Sequence, residues 1–424
     1  IVNWMFQQIP MYQRTGKAAY KVDLEKTHRI DAYFKEPHKS YKTVHVAGTN
    51  GKGSVSHMLA SVIQEAGYRV GLYTSPHMKD FRERIRVNGE MVSKEYVTEF
   101  IRENQEFFED IRPSFFEMTV AMAFDYFESQ QIDVAVVEVG MGGRLDSTNV
   151  IYPEISIITN IGLDHTAFLG ETLPEIAREK AGVLKSAVPA VIGESHPQTQ
   201  SVFKQRAKEV QTELYFADQA YKLEPNEIFS PVQNSFRVYN SQGKHELTEI
   251  STDLLGSYQR KNIATALKSL DILKETFLFD KHMILRGLAH VKRNTGFLGR
   301  WQVLGEQPLV LCDTAHNAEG IAMNIEQLKQ MQYQTCHFVL GFVNDKKLDS
   351  VLSLFPKEAT YYFTKARIPR ALDEQELQRQ ASGVGLEGST HPSTEEALNA
   401  ATSAAQKDDL IYVGGSTFVV SEVI

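Results

Sequence analysis

Cysteine is almost absent from this chain of 424 residues, with only Cys312 and Cys336 present. That scarcity excludes a disulfide-stapled scaffold. Both residues lie in apolar, strand-like runs and read as buried thiols of a reducing compartment. Long apolar runs are also missing: none approaches the ~20 residues that span a bilayer. Ile1 to Tyr20 is amphipathic and lacks signal-peptide architecture. Basic charge is in deficit, 45 lysines and arginines against 53 acidic residues, for a formal net charge of −8. A nucleic-acid binder would show a basic patch, so no nucleic-acid partner is expected. Small anionic ligands stay open, because local lysines and backbone amides hold them. Repeats and low-complexity tracts are missing too. These absences leave a cytoplasmic enzyme of small molecules, without a membrane partner and by default a monomer.

What is present is concentrated in Thr43-Val-His-Val-Ala-Gly-Thr-Asn-Gly-Lys-Gly-Ser54. A β-branched run enters a glycine-rich turn, and Val55, Met58, Leu59, Val62 and Ile63 then fall on one helical face. Strand, glycine loop, lysine and helix together suit a nucleotide triphosphate. Glycines let backbone N–H groups close on phosphate oxygens, and the helix N-terminus adds partial positive charge. Lys52 is placed to reach the β- and γ-phosphates, and Ser54 to meet a magnesium ion. The spacing is G-x-x-G-K-G-S, from Gly48 through Thr49, Asn50, Gly51, Lys52 and Gly53 to Ser54. Val46 stands where the commoner phosphate loop has its first glycine. A bare glycine turn with an exposed lysine is the competing view, which the flanking strand and helix disfavour.

Strand and helix patterns alternate along the chain. Further strands are expected at 69–74, 132–139, 154–159 and 188–192, with helices at about 93–110, 115–130, 257–277 and 281–291. Thr172-Leu-Pro-Glu175 reads as a capping box opening a helix through about Leu184. Residues 213–250 alternate in short pieces and suggest a small antiparallel β region. The pattern breaks at Asn294-Thr-Gly-Phe-Leu-Gly299. A second series follows, with strands expected at 308–312, 336–341, 359–363 and 409–413. Its helices are expected near 318–331, 347–355, 373–382 and 394–406. The fold class is α/β: a P-loop NTPase-like domain with an added β region over 1–295, and a smaller doubly wound, Rossmann-like domain over 296–424. A cleft is expected between them.

Ligands of open α/β sheets gather at the carboxyl ends of the strands, where several polar residues fall. Ser75 ends the second strand. Glu138 sits in an otherwise apolar strand and precedes Gly140-Met-Gly-Gly143. A carboxylate there is costly unless paired or metal-bound, and beside a phosphate loop magnesium is the expected partner over a structural ion pair. Asp164-His165 follows the strand at 154–159, so His165 leans towards metal rather than a plain loop histidine. Lys180, in Arg178-Glu-Lys-Ala-Gly182, divides evenly between function and a solvated helix lysine. In the second domain, Asp313, His316 and Asn317 emerge at a strand tip. They suit a nucleotide contact or a turn with an asparagine N-cap. Arg300 beside Trp301 could reach phosphates or form an interface pair.

Six ordered motifs resemble the folylpolyglutamate synthase family, amide-forming members of the Mur ligase superfamily. They are Gly48–Ser54, Tyr73-Thr-Ser-Pro-His77, Glu138-Val-Gly-Met-Gly-Gly-Arg-Leu-Asp-Ser-Thr-Asn149, Leu163-Asp-His165, Glu179-Lys-Ala-Gly182 and Asp313-Thr-Ala-His-Asn317. The resemblance implies ATP held at Gly48–Ser54 and two magnesium ions at Ser75, Glu138 and His165. It makes Lys180 a carbamylated lysine near the second metal. It gives adenine and phosphate contacts to Asn262, Arg300 and Asp313, and pterin-side contacts to Val22, Asp23, Leu24, Ser114, Phe115, Phe116, Glu117, Leu145, Asp146 and Ser147. Catalytic duty falls to Lys52, His165, Lys180 and His316. The implied reaction activates a pterin or folate carboxylate as an acyl phosphate and joins it to L-glutamate. Domain closure is then expected to exclude water from the acyl phosphate.

Bifunctionality towards dihydropteroate and tetrahydrofolate is expected from Ser114–Glu117 and Gly143–Ser147. The alternatives are a peptidoglycan Mur ligase, a phosphate-loop switch or motor, and a non-catalytic nucleotide-binding module. A cell-wall ligase is expected to carry a uridine-nucleotide-binding domain before its loop. With that loop at Gly48, the folate reading is preferred.

Overall fold

The computed structural model describes residues 23–226, 233–240, 246–344 and 348–424. Among these, Gln233–Asp253 and Gln259–Phe297 group with the residues up to 226 in one unit, while Leu254–Tyr258 groups with Leu298–Ile424 in the other.

The first unit is built on eight strands: β1 (Lys42–Ala47), β2 (Val70–Tyr73), β3 (Ile85–Val87), β4 (Glu90–Met91), β5 (Val134–Glu138), β6 (Ile155–Ile158), β7 (Ala190–Ile192) and β8 (Leu214–Phe216). Their order is β4-β3-β2-β5-β1-β6-β7-β8, parallel from β2 to β8 with an antiparallel edge at β3 and β4. β5 is buried along its whole length and β1 beyond Lys42, as strands covered on both faces should be. Register sets Val46 opposite Glu138, and Ala47 opposite Ile158. The phosphate-loop segment therefore leaves the sheet beside the end of β5.

Five helices of this unit position the site: α1 (Glu25–Tyr33), α2 (Lys52–Glu65), α3 (Phe115–Ser129), α4 (Leu173–Ala181) and α5 (Gln259–Leu273). α2 is buried from Ser54 to Ile63, which explains its small and apolar residues. Capping boxes open α3 at Ser114/Glu117 and α4 at Thr172/Glu175. One apolar core joins Tyr73 and Val137 to Phe115, Met118 and Phe124, and another joins Ala47 and Ile158 to Ala177 and Phe203.

Three expectations shift. α4 stops at Ala181 rather than near Leu184, because the chain turns there: Arg144 N donates to Glu179 O, and Asn149 Nδ2 to Gly182 O. The helix expected over 93–110 breaks into Lys94–Glu103 and Gln105–Ile111, with Asn104 between them donating its side chain back to Phe100 O. β8 extends the main sheet parallel to β7, so only β9 (Tyr221–Pro225), β10 (Asn234–Asn240) and β11 (Glu246–Thr252) form the antiparallel region.

In the second unit, β12 (Gln302–Glu306) runs antiparallel to β13 (Leu309–Cys312). β14 (Cys336–Leu340), β15 (Thr360–Thr364), β16 (Gly388–His391) and β17 (Leu410–Gly414) continue in parallel, in the order β12-β13-β17-β14-β15-β16. Helix α6 (Ala318–Lys329) follows β13. Leu311, Phe338, Tyr361, Phe363 and Tyr412 share its core. Both cysteines are buried and neither is in a disulfide. Among the described residues no helix is long and apolar enough to cross a membrane.

Candidate active site

The loop between β1 and α2 is fastened to the chain leaving β6. Thr49 N donates to Asn160 O at 3.0 Å and Asn50 N to Asn160 Oδ1 at 2.8 Å. Thr159 Oγ1 donates to Asn50 O at 2.5 Å, and Thr49 Oγ1 accepts from Gly162 N at 3.0 Å. α2 starts at Lys52 because Gly51 adopts φ 84°; a Cβ there would stand 2.2 Å from Asn262 Oδ1. Asn262, on α5, thus packs directly against the loop. Ser54 is buried, and its Oγ accepts from Gln259 Nε2 at 3.3 Å.

Two lysines converge on one oxygen. Lys52 Nζ donates to Gly48 O and Thr49 O, both at 3.1 Å. Lys180 Nζ reaches the same Gly48 O at 2.7 Å and is buried. Burial, followed by the neighbouring Lys52 charge, pulls the Lys180 amine down to about 7. The glycine segment after β5 fixes α4 in place, since a Cβ at Gly143 would lie 2.9 Å from Lys180 O.

Glu138, 3 % exposed, ends β5 and accepts from Ser75 N at 3.0 Å through Oε2. That oxygen lies 3.8 Å from where a Cβ on Gly53 would stand. Ser75, Glu138 and the start of α2 are therefore brought together. His165 sits in the left-handed region at φ 50° and caps the single turn Thr166–Leu169, its N–H donating to Asp164 Oδ1 at 2.9 Å. Among the described residues, no three or more His, Cys, Asp or Glu side chains gather as a metal cluster. A magnesium ion here would draw on Ser75, Glu138 and His165 together with oxygens of water and phosphate. The oxygens of Ser75, Glu138, water and phosphate are the hard donors magnesium takes, and the imidazole is the softer member of the set.

The expected pterin-side residues divide. Ser114 and Glu117 cap α3, while Thr27 Oγ1 lies 3.3 Å from both Glu117 Oε1 and Ser147 Oγ. The Asp146 carboxylate is taken by Met141 N, Thr148 N and Thr148 Oγ1, and burial raises its pKa. Phe115 is buried and Phe116 is partly buried, its ring tilted towards Tyr73 at 6.0 Å. Leu24 and Leu145 are partly exposed. Asp23 is exposed and accepts from Glu25 N. Val22 lies outside the described residues.

In the second unit, Asp313 spends its carboxylate internally. Oδ2 accepts from Tyr258 Oη at 2.6 Å and Trp301 N at 2.8 Å, and Oδ1 from Ala315 N at 2.8 Å. Asn317 is an N-cap: its Oδ1 accepts from Gly320 N at 2.9 Å and opens α6. His316 Nδ1 lies 3.0 Å from Thr314 O. Arg300 is partly exposed and adjoins the buried Trp301.

Sequence reasoning passed over Thr159 and Asn160, which anchor the loop, and Arg84, which is buried. Arg84 Nε donates to His77 Nδ1 at 2.8 Å. Burial, then the Arg84 charge, holds the His77 pKa down at about 3. The run Phe81-Arg-Glu-Arg-Ile-Arg86 forms one short helical turn over Phe81–Arg84 and then a strand from Ile85, and its charges alone do not say which arginine turns inward.

The chain matches the family model of the Mur ligase middle domain over residues 46–270, and that of the Mur ligase glutamate ligase domain over 299–417. It is 34% identical over 95% of its length to a probable bifunctional folylpolyglutamate synthase/dihydropteroate synthase of Haloferax volcanii. The chain spans about half of that relative, 48%. It is 30% identical to the dihydrofolate synthase/folylpolyglutamate synthase of Bacillus subtilis, over 96% of this chain and 95% of that protein. A crystal structure of a bifunctional folylpolyglutamate synthase/dihydrofolate synthase with Mn, AMPPNP and L-glutamate bound is 30% identical, with a TM-score of 0.83 over 95% of this chain and 94% of that one.

Proposed function

This chain belongs to the Mur ligases, among the dihydrofolate and folylpolyglutamate synthases, and we propose that it uses ATP to join L-glutamate to pterin-linked carboxylic acids. Dihydropteroate and tetrahydrofolate are the two acids proposed. The carrying observation is the meeting of Lys52 and Lys180 at Gly48 O, where α2 begins, beside the buried Glu138. Lys52, a cation at a helix N-terminus, suits a polyphosphate, and the amine it helps to drive towards neutrality, Lys180, suits carbon dioxide. The similar structure that holds AMPPNP, Mn and L-glutamate supports ATP and a divalent metal.

In the proposed reaction an oxygen of the substrate carboxylate attacks the γ-phosphorus of ATP, and the bond to the β,γ-bridging oxygen breaks. ADP leaves and an acyl phosphate remains. The amino nitrogen of L-glutamate then attacks the acyl carbon, phosphate departs with its bonding pair, and the ammonium formed loses a proton to solvent. The loop amides of Gly48–Ser54 and Lys52 hold phosphate oxygens and offset charge during transfer. Ser75, Glu138, His165 and a carbamylated Lys180 would hold magnesium, which supplies Lewis-acid neutralisation of phosphate charge. An amine near pKa 7 is substantially neutral at physiological pH, which supports Lys180 as the carbon-dioxide acceptor. Asn262, Arg300 and Asp313 are proposed for the nucleotide, His316 for the glutamate-transfer end, and Asp23–Leu24, Ser114–Glu117 and Leu145–Ser147 for the pterin. Two buried cysteines outside any disulfide suit a cytoplasmic setting.

The test is ADP formation with glutamate present, comparing dihydropteroate with tetrahydrofolate. Release of ADP and phosphate with both acids, and with neither when glutamate is left out, is the expected result. Turnover only with a uridine-linked muropeptide would overturn it. Mass spectrometry of the intact chain under bicarbonate, with one carbon dioxide added at Lys180, checks the carbamate.

A further inference from the structure

The run Asp80-Phe-Arg-Glu-Arg-Ile-Arg86 carries three arginines with different fates. Arg82 pairs with Asp80 at 2.8 Å, and Arg86 Nη1 donates to Gly89 O at 3.0 Å. Arg84 is 4 % exposed. Its Nε is bound by His77 Nδ1 at 2.8 Å, and its Cζ lies 5.4 Å from the centre of the Phe115 ring. Among the described residues no carboxylate forms an ion pair with it; the Tyr73 phenol hydrogen-bonds to it, while Glu138 and Glu83 act on it at longer range. An imidazole, a phenol and a ring face orient a guanidinium without neutralising it, and a buried charge kept so is costly unless an anion joins it.

The surroundings say which anion. Arg84 O accepts from Thr74 N at 3.0 Å, so this arginine faces the turn whose next residue, Ser75, donates to Glu138. On its other side, Phe115 follows the α3 cap Ser114. Arg84 thus lies between the residues proposed for the pterin and those proposed for metal and phosphate. The group that must occupy that interval is the reacting carboxylate. A planar guanidinium fork matches a carboxylate and would ease its approach to the γ-phosphate, another anion. We propose that Arg84 holds the carboxylate of the pterin-linked acid and that His77 is its positioning residue. This rests on the ligase reading above.

The test is equilibrium binding of dihydropteroate against its analogue with a plain anilino ring, lacking the carboxylate, to the full chain without ATP. The wild type is expected to prefer the acid by roughly a hundredfold, from loss of one partner of a buried charge pair. In Arg84→Met that preference should collapse while ADP affinity stays unchanged. Arg84→Lys, which keeps the charge and loses the fork, should retain only part of it and covers the case in which Arg84→Met fails to fold. His77→Phe should raise the KM for the acid while leaving the KM for ATP unchanged. A folded Arg84→Met, or failing that Arg84→Lys, with wild-type preference for the acid overturns the proposal. A wild type that binds neither pterin overturns the ligase reading and this assignment with it. The two failures are told apart by the wild-type titration alone.

Discussion

Two strand tips invite comparison: the end of β1 with its loop in the first unit, and the end of β13 with Asp313 in the second. Both place polar groups where parallel strands finish. At β1, Lys52 and Lys180 crowd one carbonyl oxygen, and the Lys52 charge helps to depress the pKa of Lys180. At β13, three donors close around one buried carboxylate. The first arrangement leaves one cation, Lys52, for an anion and presses its neighbouring amine, Lys180, towards the neutral form. The second is already satisfied within the fold, so the nucleotide contact proposed for Asp313 would add to a structural role. Position at a strand tip is therefore a weaker sign of a site than an imbalance of charge there.

The largest effect expected from this contrast is that of Lys52→Ala. Turnover should fall by roughly a thousandfold or more, about 4 kcal/mol in the barrier, while the urea midpoint of unfolding stays put or rises. Near-normal ADP formation would break the comparison at its first term. Asp313→Ala should act the other way, removing the acceptor of Tyr258, Trp301 and Ala315. A loss of about 3 kcal/mol of stability is expected from stranded buried donors, read by urea denaturation. An unchanged midpoint would mean that this tip too is held for a ligand.

How much of this was legible in the sequence depends on where each residue's fate is decided. β1, the loop and α2 were, because β-branched residues, glycines and an apolar helical face are local signals. β3, β4, β12 and β16 were not: these short strands carry residues such as Arg86, Glu90, Gln302 and Ser389 that look like loop. Glu138 stood out as a charge in an apolar strand, whereas Arg84 sat among other charges and gained its burial only through the tertiary packing of Phe115 and His77. For Asn317 the bond from Gly320 N shows the N-cap, a role that a nucleotide contact does not exclude.

A smaller effect concerns His45 on β1, fully buried, whose Nε2 meets Thr148 Oγ1 at 2.9 Å. Burial holds its pKa at about 3 against an ordinary 6.5. The unfolded chain thus takes up a proton that the folded chain refuses. The associated stability is complete above pH 6.5 and is lost as the pH falls towards 3. About 2 kcal/mol should be lost between pH 7.5 and 5. Urea midpoints at the two pH values check this, and His45→Gln should reduce the difference by that amount while leaving the share owed to His77; a wild type equally stable at both would dismiss it.

The smallest effect separates the glycines of the two units. Gly383 ends the helix Glu374–Gly383, and a Cβ there meets nothing within 4 Å. Gly383→Ala should raise stability by ~0.5 kcal/mol. Gly51→Ala, at φ 84° against Asn262, should lower it. Thermal melts of the pair give the sign, and equal shifts would erase the distinction.

The anchoring of the loop through Thr49, Asn50, Thr159 and Asn160 has a kinetic consequence. A nucleotide meeting it encounters a shape already made, fixed to the same strand that adjoins β1. Capture should then follow a single exponential whose observed rate climbs linearly with nucleotide concentration, with no plateau from a slow opening step.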